Sequence, residues 1–143
     1  MSVVGKSYAP VVYAVGREKI KEYAAATGET SPLCLDPAAA RAAGYADVVA
    51  PPMFAVVYQA QSVMPAIFDP EVGIDFAMMV HSAQELRWER VVVAGEELTT
   101  ATTVTEAVEK SGMGFFSFEA VTTDPAGATV VTGVWKMLVR GAE

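Results

Sequence analysis

The chain has 143 residues, 52% of them hydrophobic and 19% charged. That length fits one domain, here residues 1–143, able to bury about 70% of its unfolded surface without a metal or disulfide staple, and the apolar content excludes disorder as the main state. Against 17 acidic residues there are only 10 Lys and Arg, a net charge of −7 with no basic stripe, which argues against a nucleic-acid partner.

Cys34 is the single cysteine and His81 the single histidine. An intrachain disulfide and a cysteine-rich metal site are therefore excluded, and with no ligand cluster neither metal nor cofactor is implied. A lone cysteine suits a reducing compartment. The stretch Met1 to Lys6 lacks the apolar run of a secretory signal. Ala50 to Tyr58, the longest apolar stretch, is about half a membrane span. A cytoplasmic protein without membrane contact is expected.

In chain order, Tyr8 to Ala14 is β-prone and predicts a first strand. Ile20, Tyr23 and Ala24 recur at helical spacing in Glu18 to Thr27, and Gly28 is a C-terminal stop. Glu29 to Leu35 reads as a loop around Ser31-Pro32. Asp36-Pro37 pairs an N-cap with a first-turn proline and opens a short helix to Ala43, ended by Gly44. After an extended stretch, Pro51-Pro52 opens a longer helix, Pro52 to about Ile67. It is apolar on nearly every side and is therefore expected to be buried.

The second half is rich in Val and Thr with period-two stretches. Strands are predicted over Ala77 to Arg90, Leu98 to Val108, Gly114 to Thr123 and Ala128 to Val139. Turns fall at Val91 to Glu97, at Glu109 to Gly112 and at Asp124 to Gly127. Read as three successive hairpins these form a meander. The economical architecture is α+β: a curved antiparallel sheet wrapped round one buried helix.

This order of elements resembles the hot-dog fold. Val15-Gly16-Arg17-Glu18-Lys19-Ile20, Tyr23-Ala24, Gly44-Tyr45, Ala50-Pro51-Pro52-Met53-Phe54 and Val93 to Leu98 together resemble the MaoC-like (R)-hydroxyacyl thioester hydratases and dehydratases. Within that family the likeness is greatest to the non-catalytic subunit of the mycobacterial-type (3R)-hydroxyacyl-ACP dehydratase and to related actinobacterial proteins. Active members carry Gly-Asp-x-Asn-Pro-x-His, which here becomes Gly28-Glu29-Thr30-Ser31-Pro32-Leu33-Cys34. They also carry His-Gly at the head of the buried helix, where this chain has Pro51-Pro52.

Dehydrating a 3-hydroxyacyl thioester needs a base for the C2 proton, an acid for the departing hydroxyl and an N–H donor for the enolate-like oxygen. A cysteine at position 34 does not shuttle protons as an imidazole does, and Pro52 has no N–H to donate. The resemblance therefore implies a chain with no catalytic residue of its own, inactive alone, with degenerate positions at Glu29, Ser31, Cys34, Pro51 and Pro52. A homologous, His-containing catalytic subunit would supply the chemistry, and the ligand would be an acyl thioester on acyl carrier protein or coenzyme A. The net negative charge disfavours direct docking of acyl carrier protein, itself acidic.

Met53, Phe54, Val57, Tyr58 and Met64 would line an acyl channel, with His81 and Gln84 beside the ligand or the partner. Each has a plainer reading: the five are core, Cys34 is a small buried hydrophobe, His81 is a structural histidine, and Gln84, Trp88 and Arg90 are sheet residues. Two other functions stay open, a stand-alone hot-dog thioesterase or hydratase using Glu29, and a homodimeric acyl-binding protein without chemistry. An oligomer is expected in every case, because a sheet edge needs covering.

Overall fold

The computed structural model describes residues 2–141. Strand β1 spans Val11–Ala14. It starts later than the sequence suggests because Pro10 has no N–H for the ladder. The preceding arm still runs beside the sheet, with Tyr8 N donating to Thr102 O at 3.0 Å and Gly5 N to Val104 O at 2.8 Å. Helix α1, Arg17–Thr27, buries Ile20 and Ala24. It stops at Gly28, whose φ of 72° lets its N–H close on the carbonyls of Ala24 and Ala25.

The stretch expected as a loop contains a four-residue helix, α2, Pro32–Leu35. Four residues carry no periodic signal, so only the Ser31-Pro32 start could have announced it. Helix α3, Pro37–Ala42, is capped as expected, Asp36 accepting the Ala38 N–H at 2.8 Å. The buried helix begins as a 3₁₀ turn, Pro52–Phe54, and continues as α4, Ala55–Ile67. Pro51 and Pro52 have no N–H to donate, and the first bond of the helix is the tight one from Phe54 N to Pro51 O, 2.8 Å.

Strands β2, Met79–Trp88, β3, Glu97–Lys110, β4, Met113–Thr123, and β5, Thr129–Arg140, complete one antiparallel sheet in the order β1-β3-β4-β5-β2. Two of the three expected hairpins form. Ser111 and Gly112 both have positive φ, 55° and 72°, the two-residue turn that matches strand twist. At the next turn Asp124 Oδ1 accepts from the N–H groups of Ala126 and Ala128.

The third hairpin, between β2 and β3, does not exist. Strand β2 lies at the far edge against β5, and residues 89–96 cross over the head of α4. That crossover is pinned by Ala50 N to Val92 O, Ala94 N to Val48 O and Val15 N to Glu96 O. The long β3 already pairs β1 on one side and β4 on the other, so it has no edge left for β2.

The sheet curls round α4 as expected, with a core at each end of the helix. Phe54, Tyr58, Val92, Leu98 and Val131 fill the head end, and Val63, Ile67, Phe118, Trp135 and Met137 fill the other. Between them runs a buried polar seam. Ser62 Oγ donates to Thr100 O at 3.0 Å, and Gln59 bonds Ala120 O, Thr122 Oγ1 and the Trp135 indole N–H. Every polar atom named in the seam has a partner, so helix and sheet are locked in one register.

Candidate functional site

The degenerate motif folds into a compact turn between α1 and α2. Glu29 Oε1 accepts the Ser31 N–H at 2.8 Å, and Ser31 O accepts the Cys34 N–H at 3.0 Å. Cys34 is buried. Burial first, then the Glu29 carboxylate, pushes its thiol above the ordinary value. A thiol held protonated is a poor nucleophile and a poor base. Leu33 O accepts Val49 N at 2.8 Å, tying this turn to the stretch that leads into Pro51. Arg17 grips Asp47 through two bonds of 2.9 and 2.6 Å, which fixes α1 against the same stretch. That fork and the Val48 N–H hold the Asp47 carboxyl down at about 2.

At the head of α4 lies an apolar cavity of about 250 Å³. The lead-in contributes Ala50, Pro51 and Pro52, and the helix contributes Ala55 and Tyr58. The end of β2 and the crossover contribute Trp88, Arg90, Val91 and Val92. Trp88 is fixed by its indole N–H, which donates to Pro52 O at 3.0 Å. Arg90 reaches Glu96 at 2.7 Å and Asp124 at 3.6 Å and donates to Val91 O. The Tyr58 ring is 2% exposed. Its hydroxyl has no hydrogen-bond partner among the described residues. Burial, then the nearby Glu96 carboxylate, hold that phenol well above its ordinary pKa, against the pull of Arg90.

Of the positions singled out in the sequence, Pro51, Pro52 and Tyr58 meet at this cavity. Phe54 is buried behind it, edge-on to Tyr23 at 5.4 Å and to Tyr58 at 6.1 Å, and half-buried Val57 packs on the same cluster. Met53 is exposed, and Met64 packs with the opposite core. His81 stacks on Trp135 at 5.1 Å. It stands seven residues along β2 from Trp88, roughly 23 Å at strand rise. The structure thus does not bring His81 to the head of α4, whose lead-in carries the Cys34 turn. Gln84 donates to Val134 O at 3.3 Å, while its Oε1 is buried without a partner.

Sequence reasoning did not assign Ala50, Ala55, Val91 and Val92 to a site, since each reads as ordinary core or turn. Trp88 and Arg90 carried a signal, an aromatic and a cation at a strand end, but were read as sheet residues. Among the described residues no group of three His, Cys, Asp or Glu side chains is placed to hold a metal ion. No helix is long and apolar enough to cross a membrane.

A curved sheet round a buried helix, with a turn motif and a cavity at the helix head, defines a hot-dog domain of the dehydratase type. Comparison with known proteins makes this specific: residues 2–133 match the dehydratase domain region of FAS1-like proteins, and the chain belongs to that family. A UPF0336 protein of Clavibacter michiganensis subsp. michiganensis is 49% identical, over 90% of this chain and 87% of its own length. UPF0336 protein Lxx02810 of Leifsonia xyli subsp. xyli is 43% identical, over 97% and 94%. Among solved structures, a MaoC-like dehydratase superposes with a TM-score of 0.88 at 29% identity. It covers 99% of this chain, which spans only 43% of that one. The HadBC (3R-hydroxyacyl-ACP dehydratase) complex of Mycobacterium tuberculosis shares the fold at TM-score 0.83 and 24% identity, covering 96% of this chain and 98% of that one.

Proposed function

We propose that this chain is the non-catalytic, stabilising and acyl-binding subunit of a heteromeric (3R)-hydroxyacyl thioester dehydratase, with the thioester carried by acyl carrier protein or coenzyme A. One observation carries the reading: an apolar cavity persists at the helix head while the histidine position of the adjacent motif holds a buried, protonated thiol. Binding and chemistry have come apart. A partner with the intact motif would take the C2 proton and protonate the departing C3 hydroxyl, which leaves as water. Heteromeric relatives of the fold support a paired arrangement. The HadBC and ChsH1-ChsH2 structures of Mycobacterium tuberculosis are both complexes.

The test is hydration of a trans-2-enoyl thioester, followed as loss of the enoyl absorbance. This chain alone is expected to be silent. Co-expressed with a His-containing homologue from the same genome, it is expected to form a stable complex whose activity requires the partner's histidine. Turnover by this chain alone, abolished by Glu29→Gln, would overturn the reading and make it an enzyme in its own right.

A further inference from the structure

We infer that the cavity at the head of α4 is a subsite that covers about ten carbons of an uncharged acyl group, whose carbonyl accepts a hydrogen bond from the Tyr58 hydroxyl. The inference rests on the acyl-binding reading above and narrows its ligand.

Three observations set the class. The first is size. A protein cavity of about 150 Å³ holds benzene, so about 250 Å³ holds roughly ten carbons by the same proportion. The cavity is open past the exposed Trp88 and Val91, so a longer chain runs on into solvent and gains no further burial. The second is the Tyr58 hydroxyl. It is the polar end of a side chain 2% exposed that lines the cavity, and among the described residues no hydrogen bond holds it. Facing the open cavity, the hydroxyl has its proton free to donate, and a ligand carbonyl oxygen gives it a partner. Because burial keeps the phenol protonated, it donates at every ordinary pH. It thereby offers a carbonyl the donor that Pro52 has no N–H to provide. The third is charge. Among the described lining residues Arg90 is the one cation, and Glu96 and Asp124 already balance it. A carboxylate would meet two resident carboxylates, whereas a thioester carbonyl brings no charge.

The experiment is calorimetric titration of the purified full-length chain with N-acetylcysteamine thioesters from butanoyl to tetradecanoyl, and with octanoate. Affinity is expected to rise by up to about fourfold per methylene and to level off near decanoyl, with octanoate at least tenfold weaker than octanoyl thioester. Tyr58→Phe keeps the ring and is expected to weaken octanoyl thioester about three- to tenfold, with no loss of melting temperature because the hydroxyl bonds no protein group. Val91→Trp starts from a half-exposed wall position and is expected to fill the cavity and abolish binding in a folded protein. If affinity climbs through tetradecanoyl and ignores both variants, the acyl group sits elsewhere: the inference falls and the subunit reading stands. If octanoate binds as tightly as the octanoyl thioester, the uncharged-ligand assignment is overturned. If no thioester binds at any length, the inference and the acyl-binding reading fall together.

Discussion

The Cys34 thiol is kept protonated by two neighbours of different kinds, the apolar surroundings that desolvate it and the Glu29 carboxylate that repels the thiolate. Alkylation by iodoacetamide at pH 8 is therefore expected to be at least tenfold slower than for a free cysteine and to reach the free rate in guanidinium. Fast alkylation of the folded chain would show that the thiol is activated. Cys34→His is expected to leave the chain inactive alone, since Pro52 still has no N–H to offer. A second residue, like Asp47, contributes to stability on the acid side. Lys6 at 2.6 Å, Tyr8 at 2.7 Å and the Glu71 N–H hold the Asp69 carboxyl down at about 2, against an ordinary value of 3.8. Asp69 binds its proton less tightly when folded than when unfolded, so its contribution is present above about pH 4 and is lost as pH falls toward 2. Asp69→Asn should lower the melting temperature at pH 7 and flatten its fall between pH 4 and pH 2. An unchanged pH profile would mean that this cluster is energetically idle.

Between helix and sheet, the tightest fit is at Gly133. A methyl group there would overlap the Gln59 amide, which is itself fixed by Ala120, Thr122 and Trp135. Gly133→Ala is expected to cost about 1–3 kcal/mol, read by denaturant unfolding. In a Gln59→Ala background the same change should cost much less, because the obstruction is gone; an equal cost would place the strain in the backbone instead. This contact also marks what the sequence could disclose. The buried helix was legible because Phe54 to Ile67 is apolar on nearly every side, and the inward face of β5 because Val131, Trp135 and Met137 alternate with more exposed residues. The β3–β4 and β4–β5 hairpins were legible from their turns, but which strand lies beside β2 was not. Alternation tells which way a side chain points but not which strand lies beside it, so β2 was assigned to a hairpin with β3 when it pairs β5. The same holds for the site. Cys34 and Pro52 were legible as departures from a motif, because each removes a chemical group. The cavity was not, because Ala50, Ala55 and Val92 form a hollow only once the crossover passes over the helix head.

The assembled sheet ends in two unlike edges. Strand β1 offers four residues, while β2 offers ten, flanked by exposed Val80 and Trp88. Near the middle of β2 the buried Gln84 Oε1 lacks a donor. An edge that long, with apolar flanks and an unsatisfied carbonyl, is a template for another strand, whereas four residues behind Pro10 make a poor one. Assembly by strand pairing is therefore expected through β2 and not through β1. Ala83 is exposed in the centre of that strand, so Ala83→Lys adds a desolvation cost at the junction without touching the core. Val12→Lys places the same charge on the other edge, at a residue that is also exposed. Size-exclusion chromatography with light scattering is expected to find assembly weakened at least tenfold by Ala83→Lys and unchanged by Val12→Lys. Monomer unfolding should be alike in both variants. Mixing Ala83→Lys with Ala83→Glu then separates the two modes of pairing. Identical chains paired antiparallel about the strand centre bring the two charges together and regain the dimer. A chain that pairs only with a different subunit does not. Loss of assembly with Val12→Lys instead would move the interface to β1 and leave the Gln84 carbonyl without its partner.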